Sequence, residues 1–372
     1  MKILWVPQIS SLSNTGEILL NKDSNISVLT NLIGSDFCLN NDIYIAIEFS
    51  KDKCIVPDEM SNNFRIIFYD ESRNFTNSYM ERFAFNPDFF YLCKDKFGDF
   101  DVIFVNEPTK VIPLRKIFNN SKIVTYNHWL AFKNMPELEL RQFEGMNSAD
   151  ICFVNSDYTK YEIQNHYNKY NLAISNIVKA QPTFNRNIKK IKLNAKNNFI
   201  YNHRLSSDKY YLNAYNCLIE ICNELEKIID KNNMPIFYFT NPSGKYFKLD
   251  KEYFKMVNLS NQEEYFSFLE SDEICGHINT FFDSQGMWSM STVDSAISGN
   301  ICLLPYKFGY AEIFDKNYFG YCNERQDMVN KIYNLVYNKT YSMSLYDNSS
   351  VEMNSYNYVG KKMDNEIRRL FE

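Results

Sequence analysis

No Cys-x-x-Cys pair occurs among the nine cysteines of this 372-residue chain. Metal-binding and dithiol redox frameworks depend on such pairs, so both are disfavoured. Cys152 and Cys302 lie in apolar strand-like runs, and Cys217 and Cys222 on the apolar side of a helical pattern, as buried reduced thiols do. No run approaches the ~20 apolar residues of a membrane span. The opening "MKILWVPQISS" holds one strand's worth of apolar residues, too short for a signal peptide, and the expectation is a soluble, cytoplasmic protein. Basic excess is missing too: 40 Lys and Arg stand against 45 Asp and Glu, a net charge of −5 that advertises no overall nucleic-acid field. No G-x-G-x-x-G follows the first strand, where Gly16 stands alone, which disfavours a dinucleotide-dependent dehydrogenase. P-loop, H-E-x-x-H and G-x-S-x-G motifs are likewise missing. Nothing fixes an oligomeric state.

What is present is a globular composition, 45% hydrophobic with 23% charged, in a chain long enough for two domains. Short apolar runs alternate with helical patterns from end to end. "KILWV", "IYIAIEF", "FRIIFY", "DVIFVNE", "KIVTYNH", "DICFVNS" and "NIVKA" read as parallel strands buried on both faces. Ser156 or Asp157 can cap a helix at 157–167, with Tyr158, Ile163 and Tyr167 packing inward. A polar, basic break follows, taken as a linker over 183–198. The alternation then restarts with "NFIYN", a helix over 210–230, "IFYFT", "FKMVN", a helix near 261–270 and "ICGHIN". A helix near 289–298, "ICLLP", "YFGY", a helix near 324–338 and an amphipathic helix over 356–371 complete it. The predicted fold is α/β: two doubly wound Rossmann-like domains facing across a cleft. Their expected bounds are 1–182 and 199–340, with 341–372 as a C-terminal helix packing back on the first domain.

Two stretches carry candidate chemistry. In "HRLSSDK" Arg204 and Lys209 bracket the turn from the second domain's first strand into a helix. Cations there oppose the helix dipole unless an anion sits between them, and with the helix amides they can clamp a diphosphate. The competing reading is a solvated turn with Asp208 as the cap. The second stretch is "INTFFDSQGMWSMSTVDSAISGNICLLPYKFGYAEIF". Gly286 is expected to turn the chain tightly, and the amides of Met287, Trp288 and Ser289 to open a helix pointing at the same strand edge. Asp294, five residues beyond Ser289, is placed to accept hydrogen bonds from the two hydroxyls of a ribose.

Together, Arg204-x4-Lys209 and "GMWSMSTVDSAISGNICLLP…GYAEIF" resemble the donor half of retaining GT-B glycosyltransferases. The nearest flavours are phage DNA α-glucosyltransferases and queuosine-tRNA mannosyltransferases. In the first half, "KIVTYNHWL" and "ADICFVNSDYTKYEI" resemble that family's strand-to-His loop and the strand and helix after it. The resemblance implies that Arg204 and Lys209 bind the donor diphosphate, that Asp294 holds the ribose and that amides at Met287–Ser289 meet phosphate. It also implies that His128 contacts the donor sugar. Two departures stand out: the family's first glutamate, eight residues before Asp294, is Gly286, and its second is shortened to Asp294. Asp283 and Gln285 are the nearest polar substitutes for the first.

The activity so implied moves a sugar, glucose favoured, from a UDP-sugar to a hydroxyl, with no obligatory metal or other cofactor. The favoured acceptor is a hydroxymethylated pyrimidine in phage DNA, flipped from its duplex. For DNA, Lys94, Lys96, Lys110, Arg115 and Lys116 would have to line one groove with the basic stretch 186–196. The alternatives are a bacterial glycan or tRNA acceptor, and a sugar-nucleotide-binding protein without transferase activity.

Overall fold

β-Branched and aromatic runs too continuous to alternate become strands covered on both faces, and the computed structural model uses them twice. It describes residues 1–9, 17–20, 24–69, 85–127, 135–170, 176–206, 208–240, 249–283, 286 and 288–372. Two compact units result: Met1–Asn185 with Asn354–Glu372, and Arg186–Met353.

The first unit contains β1 (Lys2–Val6), β2 (Ile18–Leu19), β3 (Asp42–Ile47), β4 (Cys54–Ile55) and β5 (Arg65–Phe68). It continues with β6 (Val102–Val105), β7 (Lys122–Asn127), β8 (Ile151–Val154) and β9 (Ile177–Lys179). Seven of these form a sheet in the order β5-β3-β1-β6-β7-β8-β9, and β2 pairs with β4 apart from it. All seven run parallel, with Trp5 opposite Ile45 on one side and Phe104 on the other. The period of two then sorts the side chains. Ile3 and Trp5 enter one layer, where Trp5 stacks on Phe104 at 4.0 Å, while Leu4 and Val6 enter the other with Phe89, Phe90 and Leu114. The terminal helix Tyr356–Arg368 places Val359, Met363 and Ile367, each four residues from the last, into the Trp5 layer. Helix Asp157–Lys169 is capped by Ser156, whose Oγ accepts from the Thr159 N–H at 3.0 Å, and Ile163 is fully buried.

The stretch expected as a linker divides. Asn185 stays with the first unit, donating to the Ile33 carbonyl, whereas 186–198 is fastened along the second. There the Lys189 and Lys192 amides donate to the carbonyls of Ile297 and Gly299, and the Lys192 ammonium to those of Leu269 and Ser271. At the other end, 341–353 also belongs to the second unit.

The second unit is built on β10 (Phe199–Tyr201), β11 (Phe237–Thr240), β12 (Phe254–Val257), β13 (Gly276–Ile278), β14 (Ile301–Pro305) and β15 (Tyr321–Cys322). These lie parallel in the order β12-β11-β10-β13-β14-β15. Strand order therefore reverses between β10 and β13. Connections leaving the two strands there depart in opposite directions, which opens a crevice at their carboxyl ends. All nine cysteines are free, and seven are buried in the cores. Among the described residues no helix is long and apolar enough to cross a membrane.

Candidate functional site

The reversal point is fed by two loops, one leaving β10 at Asn202 and one leaving β13 at Asn279. The first keeps Asn202, His203 and Leu205 buried and turns Arg204 outward. It runs into the helix Lys209–Leu225, whose first turn holds no acid. Asp208 occupies the N-cap position, yet its carboxylate accepts from Ser206 Oγ at 2.8 Å and leaves the helix amides uncapped. Arg204 and Lys209 are exposed and have no ion-pair partner among the described residues; the Arg204 guanidinium lies 5.9 Å from the Tyr211 ring centre. The result is two exposed cations beside uncapped amides, an electropositive spot with only Asp208 near it in sequence.

The second loop leads into the helix Met290–Ile297, capped by Ser289, whose Oγ accepts from the Thr292 N–H at 3.3 Å. The helix thus begins after the amides expected to open it. Ser289 is its cap, Trp288 is half-buried ahead of it, and Met287 lies outside the described residues, as does His128. Gly286 is also explained differently than the sequence suggests. It is not among the positive-φ glycines, so no left-handed turn requires it. Instead the Tyr310 phenol occupies the space a side chain would need, the Gly309 N–H donates to the Gly286 carbonyl at 2.9 Å, and the Tyr310 and Tyr210 hydroxyls meet at 2.9 Å. Tyr210 follows Lys209, so these contacts bring the Lys209 turn and Gly286 to one place. Asp283, a polar substitute near the missing glutamate, is ion-paired to Arg325, which also holds Glu220. Gln285 lies outside the described residues.

Hydroxyls bind this helix start to the sheet. Ser291 Oγ lies 3.1 Å from His203 Nδ1, and Thr292 Oγ1 lies 2.9 Å from His277 Nε2. Ser289 Oγ bridges the two, at 3.1 Å from Ser291 Oγ and 2.8 Å from Thr292 Oγ1. Burial pushes the His203 imidazole down to about 3 and His277 well below its ordinary value, so both rings are neutral.

Asp294 sits one turn further along the helix, on the wall of a cavity of about 560 Å3. Asn202, Thr240, Val257, Asn258, Ser260 and Tyr265 are among the other lining residues. The cavity thus lies at the carboxyl ends of β10, β11 and β12, where the helix Gln262–Glu270 begins under its Asn261 cap. Among the described residues no cation lines it, and Arg204 and Lys209 are not on its wall. Burial pushes the Asp294 carboxyl up to about 7, against the Tyr265 hydrogen bond and the Arg186 charge, which pull it down. Such a lining of amides, hydroxyls, one carboxyl and two aliphatic side chains suits a neutral polar ring system with hydroxyls, not a phosphate. Tyr265, Asn202 and the two histidines were not singled out from the sequence. The one local signal was Asn202, polar directly after an apolar strand. Among the described residues no cluster of three His, Cys, Asp or Glu could hold a metal ion.

Sequence comparison finds no matching family model and no matching relative among curated proteins. Structure comparison does find likenesses. Sucrose-phosphate synthase from Thermosynechococcus elongatus superposes with a TM-score of 0.70 at 12% identity, covering 100% of this chain and 99% of that one. HepE from Anabaena, in complex with UDP and glucose, gives 0.62 at 11% identity over 99% and 100% of the two chains. TarM gives 0.55 at 16% identity over 77% of this chain and 58% of its own. At these identities the likeness establishes architecture alone, the GT-B fold.

Proposed function

We propose that this chain is a glycosyltransferase that moves a sugar from a nucleoside-diphosphate donor to a hydroxyl. The nucleoside occupies the Asp294 cavity, with the carboxylate accepting from the ribose. The diphosphate lies at Arg204, Lys209 and the amides at the starts of the helices Lys209–Leu225 and Met290–Ile297. The observation that carries this reading is the division of labour around the β10–β13 reversal. Among the described residues the cavity is lined by one carboxyl and no cation, while Arg204 and Lys209, exposed and without an ion-pair partner, stand on the loop after β10. As the bond to the sugar breaks, negative charge grows on the departing diphosphate. Fixed cations and helix amides stabilise it without reorganising. Retention at the anomeric carbon and the sugar contact of His128 rest on the family resemblance. HepE has been crystallised with UDP-glucose, which makes that the first donor to test.

For the acceptor, a saccharide hydroxyl ranks ahead of hydroxymethylated DNA. Most cations nominated for a DNA groove are engaged within the protein. Lys110 pairs with Glu48 at 2.7 Å, Arg115 with Asp150 at 2.8 Å, and Lys94 donates to the Ile117 carbonyl at 2.7 Å. In the 186–196 stretch Lys196 pairs with Glu273 at 2.6 Å and Lys189 with Glu270 at 3.8 Å. Radiolabelled UDP-glucose incubated with mono- and disaccharides, 5-hydroxymethylcytosine DNA and unmodified DNA tests both parts. Label in a saccharide is expected. Label in modified DNA overturns the acceptor ranking, and neither transfer nor release of UDP in any mixture overturns the enzyme reading.

A further inference from the structure

The Asp294 carboxyl is not presented to the cavity unassisted. Asn202, in the loop after β10, directs its amide nitrogen at the Tyr265 phenol oxygen, 2.6 Å away. The same nitrogen reaches the Ser291 carbonyl at 3.2 Å, and because a carbonyl only accepts, the amide cannot be turned the other way. Tyr265 has a single proton. With Asn202 donating to its oxygen, that proton is directed to Asp294 Oδ2, 3.3 Å away. Asp294 Oδ1 has no hydrogen-bond partner among the described residues. Asn202, Tyr265 and Asp294 come from three different elements and all line the cavity.

We propose that Tyr265 is a positioning residue for the nucleoside-binding carboxylate: oriented by Asn202, its phenol engages Oδ2 and leaves Oδ1 to receive a ligand hydroxyl. This rests on the nucleoside reading of the cavity. The Tyr265 bond favours the ionised carboxylate and so opposes the effect of burial. Among the described residues, the other titratable or charged groups around Asp294 are Arg186, from the stretch before β10, His203, through Ser291, and His277, on β13 behind Thr292. Both imidazoles are neutral, so Arg186 and Tyr265 are the two groups among these that hold the carboxyl down. A variant lacking the phenol proton therefore ionises Asp294 at higher pH.

The test is calorimetric binding of UDP, GDP and inorganic pyrophosphate to the full chain and to Tyr265→Phe, from about pH 6 to about pH 9. Phenylalanine keeps the ring against Phe266, 5.3 Å away, and Asn202 retains the Ser291 carbonyl as acceptor. The ratio of wild-type to variant nucleotide affinity is expected to be roughly tenfold at neutral pH and to shrink as pH rises. Pyrophosphate affinity should not change. In an Asp294→Asn background, Tyr265→Phe should leave the pH profile where it was. A ratio constant across pH, or an equal loss for pyrophosphate, would show that Tyr265 only supports packing and would overturn the inference. If wild type binds neither UDP nor GDP at any pH, the nucleoside reading itself is what fails.

Discussion

Replacing Gly286 by alanine isolates the reason for a glycine at this position. Its φ imposes no left-handed strain, so the effect is steric. The new methyl would fall on the Tyr310 phenol, against the hydroxyl oxygen and the ring carbon that bears it. Tyr310 has little room to yield. It is 2% exposed, its ring packs near Phe281 with centres 6.1 Å apart, and its hydroxyl is tied to Tyr210. The Gly286 backbone is fixed as well, by the bond from the Gly309 N–H. Overpacking a rigid site costs about 1–3 kcal/mol, and disturbing the Tyr210–Tyr310 hydrogen bond adds roughly 1 kcal/mol. Against these stands about 0.4–1 kcal/mol gained by stiffening the unfolded chain. The net loss is about 1–3.5 kcal/mol, which for a unit of this size lowers the melting temperature by roughly 2–14 °C. Thermal denaturation followed by circular dichroism reads this directly. Tyr310→Phe should not rescue the variant, because the ring carbon remains in the way. Tyr310→Leu removes the far end of the ring, and the double variant should be less destabilised than the sum of the single changes. An alanine variant melting within about 1 °C of wild type would refute the close-approach explanation.

Asp294→Asn should act on stability and binding in opposite directions. The folded protein holds the Asp294 carboxyl at about 7, above its ordinary value. It therefore binds an extra proton between the two values, and its stability falls as pH rises through that window to a constant penalty above about 7. Asparagine removes the penalty, so the variant should melt higher than wild type at pH 8, with the difference vanishing toward pH 4, while binding UDP more weakly and pyrophosphate equally well. Arg204→Ala and Lys209→Ala should each weaken UDP binding by roughly 1.5–3 kcal/mol, with melting temperatures unchanged because both side chains are exposed; unchanged affinity in both would remove the diphosphate from this turn.

The sheets were legible in the sequence because a strand buried on both faces is an unbroken apolar run. "KILWV" became Lys2–Val6 and "ICLLP" became Ile301–Pro305 without adjustment. The helix over 210–230 is legible from its three- and four-residue apolar spacing, with Cys217, Leu218, Ile221 and Cys222 buried on one side, though the helix closes at Leu225. The Ile18–Leu19 and Cys54–Ile55 ladder was not legible, since two residues carry no period. Asp294 was visible because its place follows from local helix spacing. Tyr265 and Asn202 were not, because the bonds that give them meaning span 29 and 63 residues. Whether the cations of the expected basic groove are free was illegible for the same reason. Lysine counts were visible, but the Glu48 that pairs with Lys110 lies 62 residues away.

That pairing bears on what the first unit can bind. In α/β sheets ligands gather at the carboxyl ends of the strands, and β6, β7 and β8 end here in neutral amides. Asn106 accepts from the Trp5 indole at 2.7 Å, Asn127 donates to the Phe153 carbonyl at 3.3 Å, and Asn155 accepts from Thr159 Oγ1 at 2.6 Å. Beside Asn106 lies Glu107, whose carboxyl burial pushes up to about 7. Duplex DNA presents a negative charge every ~1.7 Å and is held by cations that displace its counterions. The nearest cation in sequence, Lys110, is 5% exposed and paired with the partly buried Glu48, and withdrawing it would leave that carboxylate without its partner. Among the described residues this edge of amides, a near-neutral carboxyl and a committed lysine offers hydrogen bonds and no unpaired cation. These described groups favour the saccharide acceptor proposed above over a polyanion, which they give no cation to bind.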